Sequence, residues 1–216
     1  MKVKENQSVS IIGGGDGPTS IFIARRNGKR PLKQRIRNYF YKRRRRRMEG
    51  KIVPGAHTLK EVVTYADKKY GVSEIEFTQY KYVEQRKGLK ESLILKHKPE
   101  LLGEKSEIIR PEVYDEESVK RMFQQIQERS ERIARIPDSE MPMDFHIYEM
   151  KIAQGLLVME VDYLWEVLGL SYSGSKKERK KLKKIEQDLY LYYGVTKEDI
   201  VTKSERYSSL VTTLSS

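Results

Sequence analysis

Residues 144–167 read DFHIYEMKIAQGLLVMEVDYLWEV, and this stretch indicates the fold more clearly than any other part of the chain. Two β-prone runs, residues 144–152 and 156–167, flank the short segment 153–155, which contains a glycine, and this pattern predicts an antiparallel hairpin. Apolar and acidic residues alternate in the second run, so we expect one buried face and one acidic face in water. The acidic positions are Glu160, Asp162 and Glu166.

Helical patterns lie on both sides of this hairpin. Thr58 and Glu61 form a capping-box pattern for a helix that we expect to stop at Gly71. A strand is expected next, over residues 72–77. Further helices are predicted over residues 79–98, 115–137 and 175–193 and from residue 196 onward. The polar tail, residues 208–216, is expected to fray. The pattern therefore predicts an α+β fold, with a small antiparallel sheet or hairpins packed against several amphipathic helices, and no transmembrane bundle.

Composition excludes several functional classes. The 216 residues are 34% charged and 38% hydrophobic, and no run of about twenty apolar residues is present. The absence of cysteine excludes disulfides, a thiolate metal site and a cysteine nucleophile. We expect a cytoplasmic protein.

Positive charge is concentrated in one segment. Residues 25–51 contain fourteen Lys or Arg residues and one acid, whereas the whole chain has a formal net charge of +12. The rest of the chain is therefore close to neutral. We divide the sequence into a Gly-rich N-terminal hairpin segment (residues 1–24), a strongly basic helical arm (residues 25–51) and an α+β body (residues 52–216).

The basic arm is predicted to form a helix that contacts a polyanion. Pro31 suits the first turn, and Leu32, Ile36 and Tyr39 or Phe40 recur at helical spacing, so we expect this stripe to dock on the body. Arginines neutralise phosphates, and aromatic rings stack on bases or lie at a membrane interface. The alternative is a solvated helix with aromatic anchors. The candidate contact residues are Arg35, Arg37, Tyr39, Tyr41, Lys42, Arg43, Arg44, Arg45, Arg46 and Arg47.

The N-terminal stretch SIIGGGDGPTSIFIA, residues 10–24, joins two β-prone runs through a glycine-rich turn. It lacks the Lys that a P-loop needs before its Ser or Thr, and Pro18 stands where a dinucleotide fingerprint needs its third glycine. We expect a tight turn with Asp16 as a turn-forming side chain, the alternative being a cation or phosphate site.

This stretch also resembles the Gly-Gly-Ala-Asp-Gly-Pro-Thr-Ser-Ile-Phe signature of the beta subunit of sodium-ion-translocating decarboxylases. The matching residues are Gly13, Gly14, Asp16, Gly17, Pro18, Thr19 and Ser20, with Gly15 in place of the alanine. The resemblance implies a broken transmembrane segment in which Asp16 takes part in coupling sodium movement to decarboxylation. Nothing after Arg25 continues the match. We expect a turn rather than a sodium site.

Other polar residues give weaker signals. His57, His97 and His146 are far apart and none has a second ligand at helical or strand spacing, so no metal site is predicted. Paired carboxylates on the acidic hairpin face would suit catalysis, but a solvated sheet face explains them without any chemistry, and we favour it. A second basic cluster, residues 176–184, has seven bases and Glu178 on a predicted helix, and either adds to an anionic footprint or keeps the surface soluble.

The sequence favours a non-enzymatic binding protein without a cofactor, whose partner is nucleic acid or another polyanion. The alternative is a relative of, or an accessory to, the decarboxylase beta subunit, with a peripheral membrane contact through residues 11–23 and the adjoining arginines. An enzyme of unknown type is the third class, but no nucleophile and base can be nominated for it.

Overall fold

The structure, a computed structural model, describes residues 7–14, 17–25, 31–103, 108 and 115–216. Their helices are α1 (Leu32–Glu49), α2 (Leu59–Tyr70), α3 (Tyr80–His97), α4 (Glu116–Arg135), α5 (Lys176–Tyr193), α6 (Lys197–Thr202) and α7 (Glu205–Ser215). Their strands are β1 (Gln7–Gly14), β2 (Gly17–Arg25), β3 (Gly55–Ala56), β4 (Ser73–Glu74), β5 (Phe145–Ile152), β6 (Gly155–Asp162), β7 (Val167–Ser173) and β8 (Gly194–Val195). The fold is α+β, as predicted. None of the helices in these ranges is long and apolar enough to cross a bilayer.

The chain divides into two compact units that are interleaved in sequence. Unit 1 comprises the described residues of Met1–Lys29 and Glu76–Met143, and unit 2 comprises Arg30–Ile75 and Asp144–Ser216. Unit 2 contains the basic helix, the main sheet and the largest apolar core.

In unit 1, β1 and β2 pair as an antiparallel hairpin, as the β-prone runs predict. The ladder is irregular between Ile12 and Gly13. Helices α3 and α4 occupy the remainder, and the buried ammonium of Lys90 donates to the Ile136 carbonyl (2.6 Å) and to Asp138 (3.0 Å). These two hydrogen bonds offset the cost of removing a cation from water.

The sheet of unit 2 has the order β4-β5-β6-β7, and all of its neighbouring strands are antiparallel. Its core combines apolar residues of α2, β5, β6, α5 and α7. Val62, Met159, Leu182 and Leu189 are all essentially inaccessible to water. A second, two-residue ladder pairs β3 with β8 and brings Gly55 opposite Val195.

The predicted hairpin is present, but its second strand is shorter than expected. β6 ends at Asp162, and a turn over residues 163–166 leads to β7, a strand that the sequence did not predict. The prediction of an acidic face in water holds for Glu166, which is exposed, but it is wrong for Asp162, which is fully buried and accepts hydrogen bonds from the backbone N–H groups of Leu164 (3.0 Å) and Trp165 (2.9 Å). Asp162 therefore organises the turn instead of facing solvent, and Glu160 is half-buried.

Among the described residues, reciprocal capping boxes begin four helices. In α2, the Glu61 backbone N–H donates to the Thr58 hydroxyl, and the Glu61 carboxylate accepts from the Thr58 backbone N–H at 2.7 Å. The predicted starts at Asp115 and Thr196 have the same arrangement, and Ser175 caps α5. These caps confirm the predicted beginnings of the four helices.

Two other expectations are wrong. The strand predicted over residues 72–77 is reduced to β4, which has two residues. The polar tail does not fray, because α7 buries Tyr207, Leu210 and Val211 in the core of unit 2. The tail's apolar residues are few, but their i, i+3, i+4 spacing places them on one side of a helix.

Candidate polyanion-binding helix

The basic helix α1 begins directly after Pro31, whose extended ψ of 141° precludes its own inclusion in the helix. Eighteen residues at 1.5 Å per residue make it about 27 Å long. At its end, the Gly50 backbone N–H donates to the Arg46 carbonyl at 3.2 Å. Arg46 and Arg47 lie in the last turn, where the negative end of the helix dipole favours cations.

One side of α1 faces the rest of unit 2, and the other side faces solvent. Helix α1 contacts α7, and the half-buried residues of α1 are Asn38, Arg45, Met48 and Glu49. Arg44 reaches the Ser216 carbonyl at 3.5 Å. No residue of α1 is buried.

The apolar stripe of α1 does not dock on the body, so that prediction is wrong. Leu32, Ile36, Tyr39 and Phe40 are exposed by 69%, 48%, 63% and 59%. The stripe is exposed because α1 contacts the rest of unit 2 through its half-buried residues, and the stripe lies on a different side of the helix.

The arginines of α1 have little internal compensation. Arg45 forms an i,i+4 ion pair with Glu49 at 3.3 Å, and it is the one cation of α1 with a carboxylate partner in the part of the chain that the structure describes. Glu49 is also the one acid in the helix. A partly exposed pair of this kind contributes little to stability, and the other cations of α1 remain available to a partner.

A hollow of about 440 Å³ lies on α1 and is lined by Phe40, Arg43, Arg44, Arg47 and Met48. These positions follow the i, i+3, i+4, i+7, i+8 pattern, which defines one side of a helix. The neighbouring rings of Tyr39 and Phe40 meet edge to face, with centroids 5.8 Å apart and planes at 73°. Guanidinium groups and exposed aromatic surface therefore lie side by side.

The predicted contact residues all lie on α1, but they do not share one side. Five consecutive residues at 100° intervals surround the helix, so residues 43–47 cannot all contact one straight ligand. The structure brings together Arg43, Arg44 and Arg47. It adds Met48 to their hollow, a residue that the sequence did not nominate although its spacing of four from Arg44 signals the same side.

The second basic cluster lies on the N-terminal half of α5. Lys176, Lys177, Lys180, Lys181 and Lys184 are all exposed. Glu178 is used locally, because its carboxylate accepts from the backbone N–H groups of Ser175 (2.8 Å) and Gln154 (2.9 Å). These hydrogen bonds to the cap keep the pKa of Glu178 below its usual value.

The residues of the N-terminal motif are described through their backbone alone. Gly13 pairs with Pro18, Gly14 with Gly17, and Ile12 with Ser20 on the β1–β2 hairpin, and Thr19 also lies on β2. Gly15 and Asp16 lie outside the described residues. The expected turn-forming role of Asp16 and the resemblance to the decarboxylase signature both stay predictions.

The histidines lie in separate places, and the described residues include no group of three His, Asp or Glu side chains arranged to hold a metal ion. His146 lies between two carboxylates, with Nδ1 at 2.5 Å from Glu74 and Nε2 at 3.0 Å from Asp144. Partial burial lowers the pKa of His146, but hydrogen bonds to Glu74 and Asp144 outweigh burial and raise the pKa above its usual value. For Asp162, burial raises the pKa of the carboxyl.

Comparison with protein-family models, curated proteins and solved structures finds no match for this chain. The candidate functional residues are therefore the ones that their own geometry and charge distinguish.

Proposed function

We propose that this chain is a non-enzymatic, cytoplasmic protein that binds nucleic acid, or another polyanion, through the hollow on α1. The main support is the convergence of Arg43, Arg44 and Arg47 beside Phe40, on a helix whose cations are almost all without carboxylate partners among the described residues. Guanidinium groups pair with phosphates bidentately, and an exposed ring offers a base a stacking surface.

Salt dependence follows from the same geometry. Each phosphate that an arginine neutralises releases condensed counterions and adds roughly 0.7–0.9 to the magnitude of the slope of log K against log salt. Removal of the three arginines that line the hollow is therefore expected to reduce the slope by about 2–3.

The test compares two variants with the same loss of charge. In the helix variant, residues 43–47 are replaced by glutamine. The matched control replaces five exposed lysines of α5 by glutamine: Lys176, Lys177, Lys180, Lys181 and Lys184. Affinity for a fluorescent single-stranded oligonucleotide is measured by anisotropy at several salt concentrations, and circular dichroism checks that both variants are folded.

We expect the helix variant to lose most of its affinity and the α5 variant to retain most of it. An equal loss in the two variants would show that net charge alone, and not α1, governs binding. Binding that survives the helix variant at all salt concentrations would contradict the proposal outright.

A second candidate is membrane association, as in the proposed kinship with the decarboxylase beta subunit. It is favoured by the exposed Leu32, Ile36 and Phe40, which lie on the same side of α1 as Arg43 and Arg47, an arrangement that suits an anionic membrane surface. Flotation with vesicles containing phosphatidylserine distinguishes the two. Binding to vesicles without binding to oligonucleotides would favour the membrane.

A further inference from the structure

Three aromatic rings form a continuous stack in unit 2, which we call the aromatic stack. The rings of His57 and Tyr192 stack with centroids 3.9 Å apart and planes at 9°, and those of Tyr192 and Tyr65 stack at 4.0 Å and 3°. Tyr192 therefore lies in the middle and Tyr65 at one end. Because both neighbours are parallel to Tyr192, the three ring planes of the stack share one orientation.

Backbone pairing fixes the His57 end of the aromatic stack. His57 directly follows β3, and its backbone N–H donates to the Tyr193 carbonyl at 3.1 Å. Its ring Nδ1 lies 2.6 Å from the Tyr192 carbonyl. A carbonyl can only accept, so Nδ1 carries the proton and the orientation of the imidazole is set.

Asp188 fixes the other end. One of its carboxylate oxygens accepts hydrogen bonds from the Tyr65 hydroxyl (2.8 Å), the Tyr70 hydroxyl (2.7 Å) and the Lys69 ammonium (2.8 Å). Burial alone raises the pKa of Asp188, but these hydrogen bonds keep it below the usual value. The carboxylate is therefore ionised at neutral pH and holds the Tyr65 ring in place.

A hollow lies against the aromatic stack. Its volume of about 570 Å³ is within the size range of small-molecule sites. It is lined by Lys60, Glu61, Thr64, Tyr65, Lys68, Lys69 and Tyr192. Lys60, Thr64 and Lys68 occupy successive turns along one ridge of α2.

The charge of the hollow is positive. The carboxylate of Glu61 already accepts hydrogen bonds from Thr58, and Lys69 is paired with Asp188. Lys60 and Lys68 are exposed, and within the described ranges neither has a carboxylate at ion-pair distance. Two ammonium groups without a carboxylate partner among the described residues thus flank an aromatic surface, and that of Lys60 also lies 5.8 Å from the centroid of the Tyr163 ring.

We propose that this hollow binds a nucleotide, with the base against Tyr65 and the edge of Tyr192 and the phosphate attracted by Lys60 and Lys68. An aromatic ring joined to an anionic group is the chemistry that these two features recognise together. The nucleotide is either free or part of a nucleic-acid strand. The site is separate from α1 and does not depend on the function proposed for that helix.

The experiment uses the His57 ring as a reporter, because it stacks directly on Tyr192, which lines the hollow. The chain has three histidines, so their ring C–H signals are few in a proton NMR spectrum and can be assigned with single His→Gln variants. Adenosine 5′-monophosphate is titrated into the full chain. We expect a saturable shift of the His57 signal, with those of His97 and His146 unchanged.

Ligand fragments and variants test whether the base and the phosphate each contribute to binding. Adenosine and ribose 5-phosphate are each expected to bind roughly tenfold or more weakly than the nucleotide, as is the nucleotide to the double variant K60Q/K68Q. The matched control K176Q/K177Q removes two exposed lysines elsewhere and should bind normally. No shift of His57, an equal affinity for adenosine, or unchanged binding by K60Q/K68Q would overturn the proposal.

Two further measurements distinguish a nucleic-acid strand from a free nucleotide, and binding in this hollow from binding to α1. An octadeoxyadenylate that shifts His57 at much lower concentration than the mononucleotide indicates a nucleic-acid strand, and similar affinities indicate a free nucleotide. The variant with residues 43–47 replaced by glutamine should still bind the mononucleotide. Its failure to do so would contradict the independence of this site from α1.

Discussion

Gly194 joins α5 to β8 in a conformation that other residues avoid. Its φ of 61° and ψ of −159° lie in a region occupied almost only by glycine, and its backbone N–H donates to Tyr190 as the cap of α5. A Cβ at this position would lie 1.6 Å from the Gly55 carbonyl oxygen and 2.8 Å from the Gly55 carbonyl carbon. Both contacts are with backbone, so no side-chain rotation relieves them.

The expected cost of Gly194→Ala is the sum of two effects. The unfavourable backbone conformation costs about 1–3 kcal/mol. Separation of β3 from β8 to remove the overlap also breaks their hydrogen bonds, at about 0.5–1.5 kcal/mol for each broken bond. We therefore expect a loss of about 3 kcal/mol or more in the free energy of unfolding, a large part of the roughly 5–15 kcal/mol typical of a domain.

Gly55→Ala is the matched control, because Gly55 lies on the opposite strand of the same ladder and its Cβ would meet nothing within 4 Å. We expect its free energy of unfolding to stay within about 1 kcal/mol of the parent. Urea unfolding followed by fluorescence of Trp165, the single tryptophan, reports on unit 2. Similar midpoints for the two variants would refute the steric argument.

Two further predictions concern ionisable groups of unit 2. The pKa of His146 is raised in the folded state by Glu74 and Asp144, so its stabilising contribution is full below its usual pKa and is lost as the pH rises through the raised value. Melting temperatures from about pH 5 to 8 should therefore fall more in the parent than in His146→Gln, and parallel curves would contradict this. Asp162→Ala should destabilise unit 2 by about 2–4 kcal/mol, because two backbone N–H groups lose their acceptor. Asp162→Asn keeps a carbonyl acceptor and should lose less than half as much in urea unfolding, so equal losses would exclude the hydrogen bonds as the cause.

Local signals in the sequence predicted the helices well. Thr58 with Glu61 and Thr196 with Asp199 pair over three residues, so their chemistry is visible without any knowledge of the fold. The end of β6 was missed because the apolar alternation continues through Tyr163 and Trp165, although the chain turns there. Glu166 adopts a φ of 51° in that turn, and a glutamate gives no sequence signal for such a conformation.

The candidate sites were predictable only in part. The charge of α1 is evident from its composition, but the side that faces solvent depends on how α7 packs against it, and α7 was expected to fray. The aromatic stack joins Tyr192 to Tyr65 and to His57, which lies 135 positions earlier in the sequence, and it forms beside the pairing of β3 with β8. Tyr192 is half-buried in this stack.

The interleaving of the two units also imposes an order on biosynthesis. His57 and Tyr192 are separated by 135 positions, so a ribosome that adds about 5–20 residues per second needs roughly 7–27 s to pass from one to the other. Throughout that interval the apolar side of α2, with Leu59, Val62 and Ala66, has no α5 or α7 to cover it. The apolar side of α2 is therefore open to aggregation in the nascent chain until α5 and α7 emerge.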